Sequence, residues 1–142
     1  MNATIERPST TDELRLRRAV EIPGKYLSVT TFRRDGSPVA TPVWFVVEDG
    51  ELLVVTSPTS GKVRRIRHDP RVRFAPCSAR GAVRGETFDG IASVVSSDVA
   101  HVKGLMERKY RADLLFVRPI RWFQLQCHPE RRAETVFRIR PR

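Results

Sequence analysis

At 142 residues and 40% apolar content, the chain is long enough to bury one core without staples. No apolar run approaches the roughly 20 residues of a spanning helix, so a disordered chain and a helical membrane protein are both excluded. The formal charge of +10, from 26 Lys and Arg against 16 Asp and Glu, favours a nucleic acid, an acidic membrane or an anionic small molecule as partner. Only Lys25, Lys62, Lys103 and Lys109 are lysines. A GC-rich coding sequence produces the same arginine bias, and the basic residues are spread along the chain, so charge alone does not choose the partner.

Cys77 and Cys127 are the two cysteines, too few for a disulfide framework, and Met1 to Pro8 lacks the apolar segment of a signal peptide. A cytoplasmic protein is expected, with one domain over residues 1–142 and a flexible stretch at 1–9.

In chain order, Thr10-Thr11-Asp12-Glu13 has capping-box spacing and predicts a short helix toward Val20, stopped by Pro23-Gly24. Tyr26 to Phe32 is β-branched and aromatic and predicts a strand. Asp35-Gly36 is a hairpin signal, returning through Val39 to Val47. Glu48-Asp49-Gly50 then turns the chain into a strand over Glu51 to Thr56. Pro42 cannot donate to a ladder, so it belongs at an edge, at a bulge, or where another group approaches the backbone. Either this is a plain edge strand, or the ladder is interrupted around Thr41, Val43 and Trp44.

Thr56 to Val72 is the most informative stretch: a strand end, a hydroxyl-rich loop through Ser60 and Gly61, Lys62, and a brief basic helix closed by Asp69-Pro70. A helix N-terminus preceded by Ser and Thr offers free N–H groups and a positive dipole end, to which a lysine adds a mobile charge. The combination suits a phosphate, and hence a phosphorylated cofactor. Short strands follow at Val72 to Pro76 and Thr87 to Val95. Ser96-Ser97-Asp98 caps a helix carrying Val99, Val102, Leu105 or Met106, and Lys109-Tyr110 at helical spacing. A second helical segment is predicted over Ala112 to Val117, and a closing strand over Thr135 to Ile139. About six antiparallel strands with two or three helices suggest a mainly β, α+β fold built as a small barrel.

His68, His101 and His128 lack metal-ligand spacing, and Cys127-His128 are adjacent rather than spaced as a zinc pair, so no metal is expected. No Cys-x-x-Cys accompanies Cys77, which reads as an inert thiol. Arg80-Gly81 and Arg84-Gly85 lack the aromatic platform of an RNA binder, and no Gly-x-Ser-x-Gly supports hydrolysis. Arg64, Arg65 and Arg67 fit either a solvated helix face or the rim for an acidic ligand tail. Trp44 reads as core or as a ring partner.

The ordered series Tyr26 to Trp44, Ser60 to Arg67, Phe74 to Cys77, Ala79 to Gly81, Gly85-Glu86, Gly90 to Ala92 and Lys109-Tyr110 resembles the pyridoxamine 5'-phosphate oxidase-like split β-barrel superfamily. Within it, the chain is most similar to the oxidoreductases that use the deazaflavin coenzyme F-420. The resemblance covers about Tyr26 to Tyr110 and leaves 111–133 unmatched. It implies that Thr41, Pro42, Val43 and Trp44 run beside the cofactor ring, contacting it largely through backbone groups. Val55 and Thr56 would contact the phosphate or ribityl chain. Ser60, Gly61 and Lys62 would hold the phosphate; of the three arginines that could meet the acidic tail of F-420, Arg67 is counted among the cofactor contacts. It also implies a homodimer whose cofactor cleft both subunits line, with Ala75, Pro76 and Cys77 as the region donated to the partner's cleft.

The expected activity is hydride transfer between F-420 and a small unsaturated or quinone-like substrate. An FMN-dependent enzyme of the same fold, or a non-catalytic flavin, F-420 or haem binder, is the alternative. In such an enzyme the cofactor carries the chemistry and the protein binds and orients it, so the missing catalytic constellation does not argue against catalysis. It leaves the proton donor unnamed.

Overall fold

A computed structural model describes residues 7, 9–111 and 134–142. Helix α1 (Thr10–Val20) is capped by Ser9, whose Oγ accepts the Asp12 N–H at 3.2 Å while the Asp12 carboxylate accepts the Ser9 N–H at 3.3 Å. The capping box is real but starts one residue earlier than the sequence pattern placed it. Strand β1 (Tyr26–Phe32) matches its predicted span. The turn after it forms as Asp35-Gly36 dictates: Gly36 takes φ 85°, and Asp35 Oδ1 accepts the Ser37 N–H at 2.9 Å.

The return run is where expectation and structure part. It forms two strands, β2 (Pro38–Trp44) and β3 (Val46–Glu48), separated by Phe45 alone, which raises the strand count to seven. Pro42 does not interrupt the ladder; it sits opposite Ser28 within β2. It is tolerated there because β2 is an edge strand, where no neighbour requires its missing N–H. The interruption falls three residues later. Asp49 and Gly50, at φ 51° and 74°, make a two-residue turn of the mirror-image type that suits strand twist. They lead into β4 (Glu51–Thr56), as predicted.

Helix α2 (Gly61–His68), β5 (Arg71–Cys77), β6 (Phe88–Val95), α3 (Val99–Lys109) and β7 (Thr135–Pro141) follow, each within a residue or two of its predicted span. Asp98 is the N-cap of α3 but makes no side-chain cap bond. Its carboxylate is taken by Arg138 of β7 instead, a long-range ion pair that local spacing does not reveal. The helical segment predicted over Ala112 to Val117 lies outside the described residues.

The sheet runs β2-β1-β5-β6-β7-β4-β3, with every pair antiparallel. Its two edge strands are joined by one residue, so the sheet has to curl until first and last strands meet. The result is a mainly β, α+β fold, a curled barrel split along one seam. Leu27, Val29, Leu52, Val54, Phe74, Phe137 and Ile139 fill its interior. Leu53, Val46 and Val136 point the other way and pack under α3 with Val102, Met106 and Tyr110. Strand β4 is thus covered on both faces, which explains its unbroken apolar run Leu52-Leu53-Val54-Val55. Among the described residues no helix is long and apolar enough to cross a membrane.

Candidate functional site

The hydroxyl-rich loop forms a compact cap on α2. Ser60 N–H bonds the Ser57 carbonyl at 3.0 Å. Ser60 Oγ accepts the Val63 N–H at 3.4 Å and the Thr56 hydroxyl at the same distance. Ser57 and Thr59 share a hydroxyl–hydroxyl bond of 3.0 Å. First-turn amides have no acceptor within their own helix, and Ser60 Oγ takes only that of Val63. The first turn carries no acidic side chain to offset the dipole.

Positive charge gathers at this end without neutralisation. Lys62 is half-buried, and burial, then the neighbouring Arg65 guanidinium, pushes its ammonium below the ordinary lysine range. Arg65 is likewise pushed down by burial, then by Arg33 and Arg64. Its Nε donates to Thr31 Oγ1 at 2.6 Å. Arg18, Arg71, Arg73 and Arg138 all find carboxylates. Among the described residues, no carboxylate pairs with Lys62, Arg64 or Arg65. A partly desolvated cation cluster without a counter-charge is costly, and an anion docked there removes the cost. Gly61 suits the arrangement, because a methyl at its Cα would lie 2.7 Å from Arg65 Nη1.

The seam supplies the other lip of the site. Hydrogen-bonded rungs of the β1–β2 ladder alternate from the Arg33–Ser37 pair, bonded at 2.9 Å. They fall at Thr31–Val39, Val29–Thr41 and Leu27–Val43, which turns the backbone groups of Ala40, Pro42 and Trp44 away from β1. Across the gap, bonded rungs run from Glu48–Glu51 to Val46–Leu53, and the pairing ends there. The next rung of that series joins Trp44 and Val55. Their backbone groups therefore face each other over a seam that no ladder closes. Among the described residues Thr41 Oγ1 is buried without a hydrogen-bond partner; opposite Val29, it lies on the barrel-interior face of β2.

The structure thus gathers Val55, Thr56, Ser60, Gly61 and Lys62 on one lip and sets Thr41, Pro42, Val43 and Trp44 along the other. Val43 packs against the barrel interior, and Pro42 is exposed at the edge. Trp44 serves as packing: its indole stacks on Tyr110 with centroids 4.6 Å apart and planes 5° apart. Arg67 stands apart from the Ser60 loop. It lies about one and a half turns further along α2, on a groove of about 310 Å³ shared with Ile66, Ala92, Ser93, Val94 and Ser96. Cys77 is buried, and burial raises its thiol pKa, which makes it unreactive.

Thr31 was given no role from sequence, Tyr110 entered only through helical spacing and the resemblance, and Arg65 was read only as helix face or tail rim. Thr31 carried a signal: it is a polar residue on the inward face that Leu27 and Val29 define, and it is fully buried. Arg65 follows Lys62 by three positions and so shares its helix face.

A family model described as pyridoxamine 5'-phosphate oxidase matches residues 21–142, and the chain belongs to that family. Among solved structures, a conserved hypothetical protein from Mycobacterium tuberculosis is similar at 23% identity and a TM-score of 0.61, over 100% of this chain and 86% of its own. An F-420 reductase matches at 16% identity and 0.61, over 88% and 92%. The haem storage protein of Vibrio cholerae matches at 18% and 0.56, over 96% and 92%. These likenesses carry the fold. No curated protein matches the sequence.

Proposed function

We propose that the protein is an oxidoreductase that binds coenzyme F-420 and serves hydride transfer to a small unsaturated or quinone-like acceptor. One observation carries the reading: Lys62 and Arg65, uncompensated and partly buried, stand at the Ser60-capped start of α2 beside the open seam. A phosphate fits that donor set. Ser60, Gly61 and Lys62 hold it, with Val55 and Thr56 along the chain that leads to the ring. Thr41, Pro42, Val43 and Trp44 border the ring, chiefly through the outward-turned backbone groups of Pro42 and Trp44. When bound, the cofactor supplies the hydride; the protein's part is to hold the headgroup, orient the ring and exclude water. The acting unit is a homodimer, with the cleft lined by both subunits. The similarity to an F-420 reductase supports this choice of cofactor.

FMN is the second reading, because its phosphate asks for the same cation cluster, while it carries a flavin rather than a deazaflavin ring and lacks the acidic tail. Titrating the purified protein with F-420 and with FMN, followed by absorbance and fluorescence, separates the two. Preference for F-420 that weakens as salt rises supports the first reading, and preference for FMN the second. Tight binding of either without turnover across a panel of acceptors would leave a carrier rather than an enzyme. Binding of neither ends both readings.

A further inference from the structure

The chain changes partners at Phe45, leaving the β1 ladder on one side and joining β4 on the other. Counting bonded rungs along β1–β2, the rung after Leu27–Val43 joins Lys25 and Phe45. That rung is not made directly. The phenol oxygen of Tyr110 stands in it, accepting the Phe45 N–H at 3.0 Å and lying 2.7 Å from the Lys25 carbonyl and 2.8 Å from the Phe45 carbonyl. A phenol has one proton to give. Either the Lys25 or the Phe45 carbonyl can accept it, and Lys109 Nζ also donates to the Phe45 carbonyl at 2.9 Å. The ring behind the hydroxyl is 1% exposed and stacked on Trp44.

We propose that Tyr110 is a positioning residue that sets the opening between Trp44 and Val55. With its hydroxyl wedged into the Lys25–Phe45 rung, β1 cannot zip further along the chain, and Phe45 is held where Val46 can pair with Leu53. Without the wedge, Lys25 and Phe45 pair directly. The strand is then drawn toward β1, the Val46–Leu53 rung loosens, and the lip formed by Thr41 to Trp44 shifts. This inference rests on the cofactor lying at that seam, as proposed above, but its structural half is testable with no ligand.

Tyr110→Phe keeps the ring and its stack and deletes only the hydroxyl. In the ligand-free full-length protein, amide hydrogen exchange at Val46 and Leu53 is expected to quicken about tenfold or more, with β1–β5 amides unchanged. With the far-UV spectrum unchanged, the dissociation constant for F-420 or FMN, whichever the wild type binds, is expected to rise about tenfold. Exchange and affinity both within twofold of wild type would overturn the proposal. So would faster exchange with unaltered affinity, which would make Tyr110 merely structural. If Lys62→Ala loses the cofactor while Tyr110→Phe does not, this inference fails and the phosphate site stands. If the wild type binds neither cofactor, the functional reading fails, and the exchange comparison still decides whether Tyr110 is the wedge. Should Tyr110→Phe fail to fold, Lys109→Met, which removes the other donor to the Phe45 carbonyl, is judged by the same two readouts and the same thresholds.

Discussion

Arg65 of α2 donates through Nε to the hydroxyl of Thr31 on β1 at 2.6 Å, and this bond lays its guanidinium across the start of its own helix, 2.7 Å from where a Gly61 methyl would stand. The guanidinium is the far end of a flexible side chain, so Gly61→Ala moves it rather than the backbone. The expected outcome is a folded protein with little change in thermal midpoint but weaker cofactor binding, because Arg65 is displaced from the anion site. Loss of folding in Gly61→Ala would show that the helix start is more tightly packed than this.

Lys62 gives the sharpest contrast between stability and binding. Its folded pKa lies below the unfolded value of 10.5, so the protonated form is disfavoured by folding. Below the folded pKa both states are charged and the cost is present in full; it is lifted as pH rises toward 10.5 and the native state sheds its proton first. Replacing Lys62 with Met or Ala removes that cost at pH 7, and the thermal midpoint is expected to hold or rise. Cofactor binding is expected to weaken by about 1–3 kcal/mol, the range for losing a charged hydrogen bond. A lower midpoint together with unchanged affinity would reverse both assignments.

Lys109 is an exposed residue, yet its ammonium lies 3.4 Å from the centroid of the Phe45 ring and bonds the Phe45 carbonyl. Burial pushes its pKa down to about 8. Between about 8 and 10.5 the unfolded chain holds a proton that the folded one has released, so this residue's contribution to stability rises with pH across that window. Titration of the isotope-labelled ε-amine by NMR should give a midpoint near 8. A midpoint at the ordinary 10.5 would mean that the ammonium is solvated.

Gly90 of β6 lies opposite Val72 and has no room for a side chain. A Cβ there meets Ile139 Cγ2 at 2.7 Å, the Arg140 carbonyl at 3.1 Å and Phe74 Cε1 at 3.1 Å. These are core and backbone atoms that cannot step aside as Arg65 can. Gly90→Ala is expected to cost about 1–3 kcal/mol in a chemical denaturation experiment, the range for overpacking. A neutral result would show that β6 and β7 separate more readily than their register implies.

The parts of this fold that follow local rules were readable from sequence. The β1 pattern, the Asp35-Gly36 and Asp49-Gly50 turns and the Ser60 cap depend on residues within a few positions of one another. What escaped is set by distant partners. Phe45 looks like any apolar residue within Val39 to Val47, and only the insertion of Tyr110, 65 residues later in sequence, makes it the point where the strand changes neighbours. Asp98 has the right type and place for a helix cap but is claimed by Arg138.

The same division holds at the candidate site. The loop from Thr56 to Lys62 declared itself through composition. The bond from Arg65 to Thr31 and the orphaned Thr41 hydroxyl need the fold before they can be seen. Arg67 shares a helix with Lys62, but its position along and around that helix puts it on the β6 side.

The most direct measurement is a crystal structure of the protein with the cofactor it binds. The phosphate should lie within hydrogen-bond reach of the Ser60 to Lys62 helix start, with the ring in the seam between Trp44 and Val55. A phosphate bound elsewhere, or a seam closed by direct pairing of those two strands with the ring on another face, would contradict the account.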